Sequence, residues 1–234
     1  MIQNGSANIC YIFPSRSRPD KFFSVLDNIK NLSAKQDYSI IISLDIDDES
    51  MNNFEVIGKI NGYVNIRATV YKTSTGKVNV INRDVNLIPE DTDIIILMSD
   101  DMIFTQWGFD DIIRTDMQKY FNDADGVLHY PDGTPVKDKI ITMSIMGYKY
   151  FKRFNYLYHP EYTSLWCDLE FTEVAKRLGK YKYLPNTNIL KHFHPVWQGG
   201  KEKYDALMTR NESFYHKDKE IYFKRLERNF DLKL

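Results

Sequence analysis

The first half of the chain alternates short, unbroken apolar runs with longer stretches whose apolar residues recur at helical spacing. Ile9-Cys10-Tyr11-Ile12-Phe13 is one such run, stopped by Pro14. Ile94-Ile95-Ile96-Leu97-Met98 is another, and Tyr38 to Leu44, centred on Ile40-Ile41-Ile42, predicts a further strand. Runs without polar alternation predict strands covered on both faces, as in a parallel sheet. Val64 to Tyr71 alternates more and predicts a further strand, entered through the Asn61-Gly62 turn. Between these runs, Phe22, Phe23, Leu26, Ile29 and Leu32 follow helical spacing behind Pro19 and Asp20. Phe54 to Ile60 reads as a short helix. Gly76 precedes a helix over Lys77 to Ile88, with Val78, Ile81, Val85 and Ile88 on one side and Asn79, Asn82, Arg83 and Asn86 on the other. Trp107 to Phe121 predicts another helix. Strand and helix in alternation predict a parallel sheet with right-handed crossovers.

The second half is less regular. Val127 to Tyr130 and Ile140 to Met146 predict strands, separated by the turn Pro131-Asp132-Gly133. Gly147 to Pro160 reads as an aromatic, basic loop. Cys167 to Leu178 predicts a helix closed by Gly179. Ile189 to Phe193 predicts a short strand meeting His192 and His194. Glu212 to Phe230 reads as an amphipathic helix. A chain of 234 residues fits one large α/β domain better than two ordinary ones.

Composition narrows the partners. The formal net charge of -1 gives no reason to expect bulk nucleic-acid binding or membrane attraction. The 16 Tyr, 14 Phe and 3 Trp suit sugar or nucleobase surfaces, although a core would use most of them. Cys10 and Cys167 are far apart and form no metal-type spacing, so a reducing, cytoplasmic compartment is the default. Met1 to Asn8 carries no signal-type apolar stretch, and no window approaches a transmembrane segment.

Polar clusters follow the candidate parallel strands. They are Ser15-Arg16-Ser17-Arg18, Asp45-Ile46-Asp47-Asp48 and Ser99-Asp100-Asp101. On parallel strands they share one edge of the sheet, the edge where open α/β folds bind ligands. Asp100 and Asp101 together are costly unless compensated. A divalent cation would compensate them, and it would hold a diphosphate. An Asx-turn or helix cap is the plainer account of the pair. An exposed acidic loop is the plainer account of Asp45 to Asp48.

The order strand–Pro14-Ser15-Arg16, strand–Asp45-Ile46-Asp47-Asp48, the helix with Asn79, Asn82 and Arg83, then strand–Ser99-Asp100-Asp101 resembles a GT-A glycosyltransferase of the broad family-2 type. The resemblance runs from about Ile9 to Met102 and resumes from Gly147 to His194. It implies a Rossmann-like α/β fold, with a central, mostly parallel sheet flanked by helices. It implies one GT-A-like domain over residues 1–234: a donor half at about 9–102, an acceptor and catalytic half at about 103–211, and a C-terminal helix at 212–234. The implied activity moves a sugar from a UDP- or GDP-sugar to an unidentified acceptor hydroxyl, using Mn2+ or Mg2+.

By the same resemblance, Asp101 binds the metal and Asp100 supports the metal or the ribose. Ser99 stands where the family often has its first Asp. Pro14 and Ser15 line the base, while Arg16 and Arg18 hold phosphate or stack on the base. Asp47, and after it Asp45, contacts the base or ribose. Arg83, beside Asn79 and Asn82, reaches the diphosphate. Asp168 is the general base of a direct, inverting displacement, with Glu170 as second candidate. His194, and after it His192, is a further metal ligand. Two rivals remain. A nucleotidyltransferase usually wants a Gly-rich phosphate loop, and the loop after the first strand has two Arg but no Gly. A non-catalytic GT-A-like module would bind nucleotide or glycan only. At Asp168 and Glu170, complementing a helix N-terminus is the alternative to catalysis.

Overall fold

The structure is a computed structural model that describes residues 7–71, 74–197, 200 and 203–233. Its strands are β1 (Ile9–Pro14), β2 (Tyr38–Asp45), β3 (Ile66–Tyr71), β4 (Ile94–Leu97), β5 (Met102–Phe104), β6 (Val127–His129), β7 (Ile145–Gly147), β8 (Tyr181–Tyr183) and β9 (Leu190–His192). Its helices are α1 (Pro19–Leu32), α2 (Phe54–Ile60), α3 (Lys77–Arg83), α4 (Phe109–Tyr120), α5 (Tyr148–Lys152), α6 (Cys167–Arg177), α7 (Ala206–Glu212) and α8 (Tyr215–Glu227).

A seven-stranded sheet runs in the order β3-β2-β1-β4-β7-β6-β8. The pairs among β1, β2, β3 and β4 are parallel, and only β7 runs against its neighbours. This is the mostly parallel sheet that the apolar runs predict. Burial explains why those runs lack polar alternation. Ile9, Tyr11 and Phe13 enter one core layer with Phe22, Phe23 and Ile29 of α1 and Phe109 and Ile113 of α4. Cys10 and Ile12 enter the other, with Val78 and Ile81 of α3 and Phe171 and Ala175 of α6. Both faces of the strand are covered, so both must be apolar.

The chain leaves β1 on one side towards β2 and β3, then returns on the other side as β4. The order therefore reverses between β1 and β4, and a crevice opens at their C-terminal ends. The register from Ile9↔Ile94 to Ile12↔Leu97 brings the residues after both strands to one edge.

Several boundaries differ from the sequence reading. The helix begun at Lys77 stops at Arg83, because Asp84 is buried and accepts hydrogen bonds from Ser43 and Thr69. A 3-10 turn over Val85–Leu87 follows. The strand over Ile140 to Met146 forms only from Ile145, since the Ile141 amide donates to Thr172 Oγ1 instead of to a ladder. The helix expected from Trp107 starts at Phe109, after Gly108 at φ 76°. The C-terminal helix expected from Glu212 begins at Tyr215 as α8, and it is preceded by a helix the sequence reading did not expect, α7, capped by Asp205, which accepts from the Met208 amide. The aromatic loop after Gly147 contains α5. No helix among the described residues is long and apolar enough to cross a membrane.

Candidate active site

A cavity of about 240 Å3 occupies the crevice beyond β1 and β4. Of the residues singled out from sequence, it gathers Pro14, Ser15, Arg16 and Arg18 after β1, Asp45 at the end of β2, and Ser99, Asp100 and Asp101 after β4. Asp168 at the start of α6 and His192 and His194 at the end of β9 complete that set. Asp47, Asn79, Arg83 and Glu170 are not among its lining residues.

The tip of β4 is held by local bonds and by β9. Ser99 Oγ donates to Asp101 Oδ1 at 2.6 Å. The β5–β9 ladder sets Met102 opposite His192, and the Phe193 amide donates to the Asp101 carbonyl at 2.7 Å. His192 Nε2 consequently lies 3.4 Å from Asp101 Oδ2, with both side chains only 8% exposed. Burial alone would raise the Asp101 pKa. The bonds from His192 and Ser99 outweigh it and hold the carboxyl well below its usual range. Burial likewise pulls the His192 imidazole down, but Asp101 and Asp132 push it up to about 9.

Asp100 behaves differently. Burial raises its pKa, and Arg18 only partly offsets this through an Nη1–Oδ1 bond of 2.7 Å. The two neighbouring carboxylates thus have separate partners, a histidine for one and an arginine for the other. His194 lines the cavity, yet it is His192 that reaches Asp101. The sequence reading preferred His194; the β5–β9 register places His192 beside the carboxylate. The two rings are 5.5 Å apart, and burial, with the His192 charge, lowers the His194 pKa.

The other acidic cluster is largely committed to the protein itself. Asp45 accepts from Arg16 Nη1 at 2.9 Å, Arg83 Nη1 at 3.1 Å and Ser74 Oγ at 2.7 Å. Asp47 accepts from both Arg16 terminal nitrogens, at 2.9 and 3.0 Å. Arg83 also donates to the Leu44 carbonyl and stacks on Tyr71, 4.7 Å from its ring centre. Asn79 lies exposed on the outer side of α3, while Asn82 clamps the chain at Leu157 and Tyr158. Glu170 is buried against Arg225, at 2.7 and 2.9 Å, and accepts from the Tyr162 hydroxyl. It is paired with Arg225 of α8 and does not line the cavity, where the sequence reading had placed it as second candidate for the base.

Sequence reasoning missed Lys77. It opens α3, lines the cavity and makes no ion pair among the described residues. Burial opposes its charge, but the fields of Cys167, Asp168 and Asp101 outweigh that and raise its pKa. The available signal was Gly76, where a Cβ would sit 2.5 Å from the Thr163 carbonyl oxygen. Only glycine lets the start of α3 approach that chain so closely. Across the cavity, Asp168 follows Trp166, whose φ of 64° is rare for so bulky a residue. α7 contributes Leu207, Met208 and Asn211 to the cavity lining.

Solved structures share this architecture. Staphylococcus aureus TarS, residues 1–349, in complex with UDP-GlcNAc, superposes with a TM-score of 0.64 at 12% identity, covering 86% of this chain and 61% of that one. The mannosyltransferase PcManGT from Pyrobaculum calidifontis, with GDP-Man and Mn2+, gives 0.60 at 10% identity, covering 77% and 55%. A variant of Drosophila β-1,4-galactosyltransferase 7, with manganese, UDP-Gal and xylobiose, gives 0.51 at 12% identity, covering 86% and 76%. This chain has the GT-A fold. No family model and no curated protein matches it. The chain spans less than two thirds of the TarS and PcManGT chains it matches.

Proposed function

We propose that the cavity binds a nucleotide-sugar donor, a UDP- or GDP-sugar, and that the protein transfers the sugar to an acceptor hydroxyl. The supporting observation is the meeting, in one cavity at the β1/β4 crevice, of Asp101 with His192 and of Lys77 with Asp168. The structural neighbours solved with UDP-GlcNAc, GDP-Man and UDP-Gal support this donor class. The family-2 type is carried by the order of the strand-end motifs.

Asp101 and His192 fit a divalent ion. Their facing atoms are 3.4 Å apart, compatible with neighbouring ligands of one ion with bonds of about 2.1 Å. No group of three or more His, Cys, Asp and Glu among the described residues suits a metal. A small protein contribution completed by phosphate and water is the usual pattern for Mg2+. When bound, Mn2+ or Mg2+ supplies Lewis-acid stabilisation to a leaving diphosphate.

The chain's own groups divide the remaining work. Lys77 offers its ammonium to the departing diphosphate. Arg18 holds Asp100 and stands where a phosphate would compete for its guanidinium. Asp168 accepts the acceptor's hydroxyl proton as that oxygen attacks the anomeric carbon and the bond to the diphosphate breaks. A direct displacement of this kind inverts the centre. The presence of a half-buried carboxylate at that place favours an enzyme over a binding-only module.

A thermal-shift series with UDP, GDP and their sugars, each with and without Mn2+, tests the reading. The expected result is stabilisation by one nucleotide class that needs Mn2+ and is lost in Asp101→Ala. Binding at a hundred times Kd stabilises by about 2.7 kcal/mol, well within reach of such a measurement. If no nucleoside diphosphate or sugar nucleotide moves the transition, the donor-site reading fails.

A further inference from the structure

We propose that Asp132 is a positioning residue of this site, holding the His192 ring through its Nδ1 side so that Nε2 faces Asp101. The inference rests on the donor-site reading above and extends it to a residue outside the cavity lining. From sequence, Asp132 is only the middle of the turn Pro131-Asp132-Gly133. In the structure it follows β6, is 3% exposed and sits before Gly133 at φ 80°.

Its carboxylate is fixed from several sides. Oδ1 accepts from the Thr134 amide at 2.9 Å and the Thr134 hydroxyl at 2.7 Å. Oδ2 accepts from the Thr142 hydroxyl at 2.5 Å and lies 3.5 Å from His192 Nδ1. The Asp132 carbonyl accepts the His192 amide at 2.9 Å. Backbone and side chain of one residue therefore both address His192.

The local turn explains the Oδ1 bonds, which are those of an Asx-type turn. It does not explain a buried Oδ2 facing an imidazole nitrogen. His192 Nδ1 is itself buried and has no hydrogen-bond partner at normal distance among the described residues. A buried polar nitrogen left this way is expensive, and a carboxylate a few tenths of an ångström too far is its evident remedy. A shift of that size gives Nδ1–H to Asp132 and keeps Nε2 facing Asp101, the nitrogen that must give up its proton for a lone pair to meet an ion. A carboxylate behind a ligating histidine fixes ring orientation and tautomer in this manner.

The test measures Mn2+ affinity by the EPR signal of free Mn2+, in the presence of UDP, for wild type, Asp132→Asn, Asp132→Ala, His192→Ala and the Asp132→Ala/His192→Ala pair. Asp132→Asn keeps the Oδ1 acceptor for Thr134. Alongside it, 15N NMR of the metal-free protein, at a pH where the ring is neutral, reads which His192 nitrogen carries the proton. We expect Asp132→Asn to weaken Mn2+ binding by roughly 10- to 100-fold and to mix the His192 tautomers. Asp132→Ala should cost nothing further once His192 is absent. Unchanged Mn2+ affinity and an unchanged tautomer, even with a lowered Tm, overturn the inference and leave the donor site standing. If wild type with UDP binds no Mn2+, the metal reading falls instead, and the tautomer alone decides for or against Asp132.

Discussion

Arg18 and Asp205, 187 positions apart, meet in a two-pronged ion pair, with Nε–Oδ2 at 2.7 Å and Nη2–Oδ1 at 2.9 Å. Arg18 simultaneously holds Asp100 inside the cavity. Asp205 simultaneously caps α7 through the Met208 amide. Arg210 of the same helix donates to the Ser74 carbonyl at 2.9 Å, and Arg18, Ser74 and Arg210 all line the cavity. The first loop and a late helix, both contributing to the cavity lining, are thus fastened together.

Asp205→Ala removes the cap and the ion pair at once, whereas Asp205→Asn keeps a capping oxygen. Loss of the cap is worth about 1 kcal/mol. Asp205 is partly exposed, so the pair itself adds little to stability. We expect Asp205→Ala to lower Tm and Asp205→Asn to leave it nearly unchanged. Both should weaken UDP or GDP binding several-fold in calorimetry, because α7 lines the cavity. Equal nucleotide affinity in wild type and both variants would show that the fastening is irrelevant to the donor.

Lys77 gives a sharper test of where the diphosphate lies. Lys77→Met keeps the apolar stem and removes the charge. Nucleoside diphosphate affinity should fall by about tenfold, the equivalent of about 1.4 kcal/mol, the range of one charged hydrogen bond. Affinity for the bare nucleoside should not change. A matching loss for both ligands would place Lys77 against the base instead.

Much of this site was legible before folding because strand ends are legible. An unbroken apolar run announces a buried strand, and the polar residue that stops it must reach the sheet edge. Asp101 and Arg18 follow from that logic, whereas Asp168, in the first turn of α6, was singled out only by the resemblance. Pairing between distant segments is not written in any such run. β5 and β9 are three residues each, too short for periodicity, yet their ladder decides that His192 rather than His194 meets Asp101. Glu170 carries the same charge and helix position as a catalytic carboxylate, and only α8 reveals Arg225 as its partner. Asp45 looked free to contact a ligand until Arg16, Arg83 and Ser74 closed on it.

Asp168 and Glu170 separate cleanly in kinetics. Asp168→Asn should leave donor affinity intact and lower sugar transfer by about 10^2 to 10^4, the usual contribution of a general base. Glu170→Gln should chiefly lower Tm, since it leaves Arg225 buried with a weakened partner. Full transfer by Asp168→Asn, with donor affinity unchanged, removes that residue from the chemistry.

His129 makes stability depend on acid. It is 3% exposed at the end of β6, with Nδ1 2.9 Å from the Tyr181 hydroxyl. Burial lowers its pKa from 6.5 to about 4, with Lys176 adding to the fall and Asp132 and Asp138 opposing it. Between those values the unfolded chain binds the proton and the folded chain does not. Stability therefore falls as pH drops from about 6.5 towards 4, and is restored as pH rises again. The full difference is about 3 kcal/mol. Carboxylates elsewhere also titrate in acid, so the comparison needs a variant that keeps the bond without the charge. His129→Gln retains a partner for Tyr181 and does not titrate. Urea midpoints at pH 7 and pH 4.5 should therefore differ less for His129→Gln than for wild type, and parallel losses in the two proteins would rule out His129 as the source.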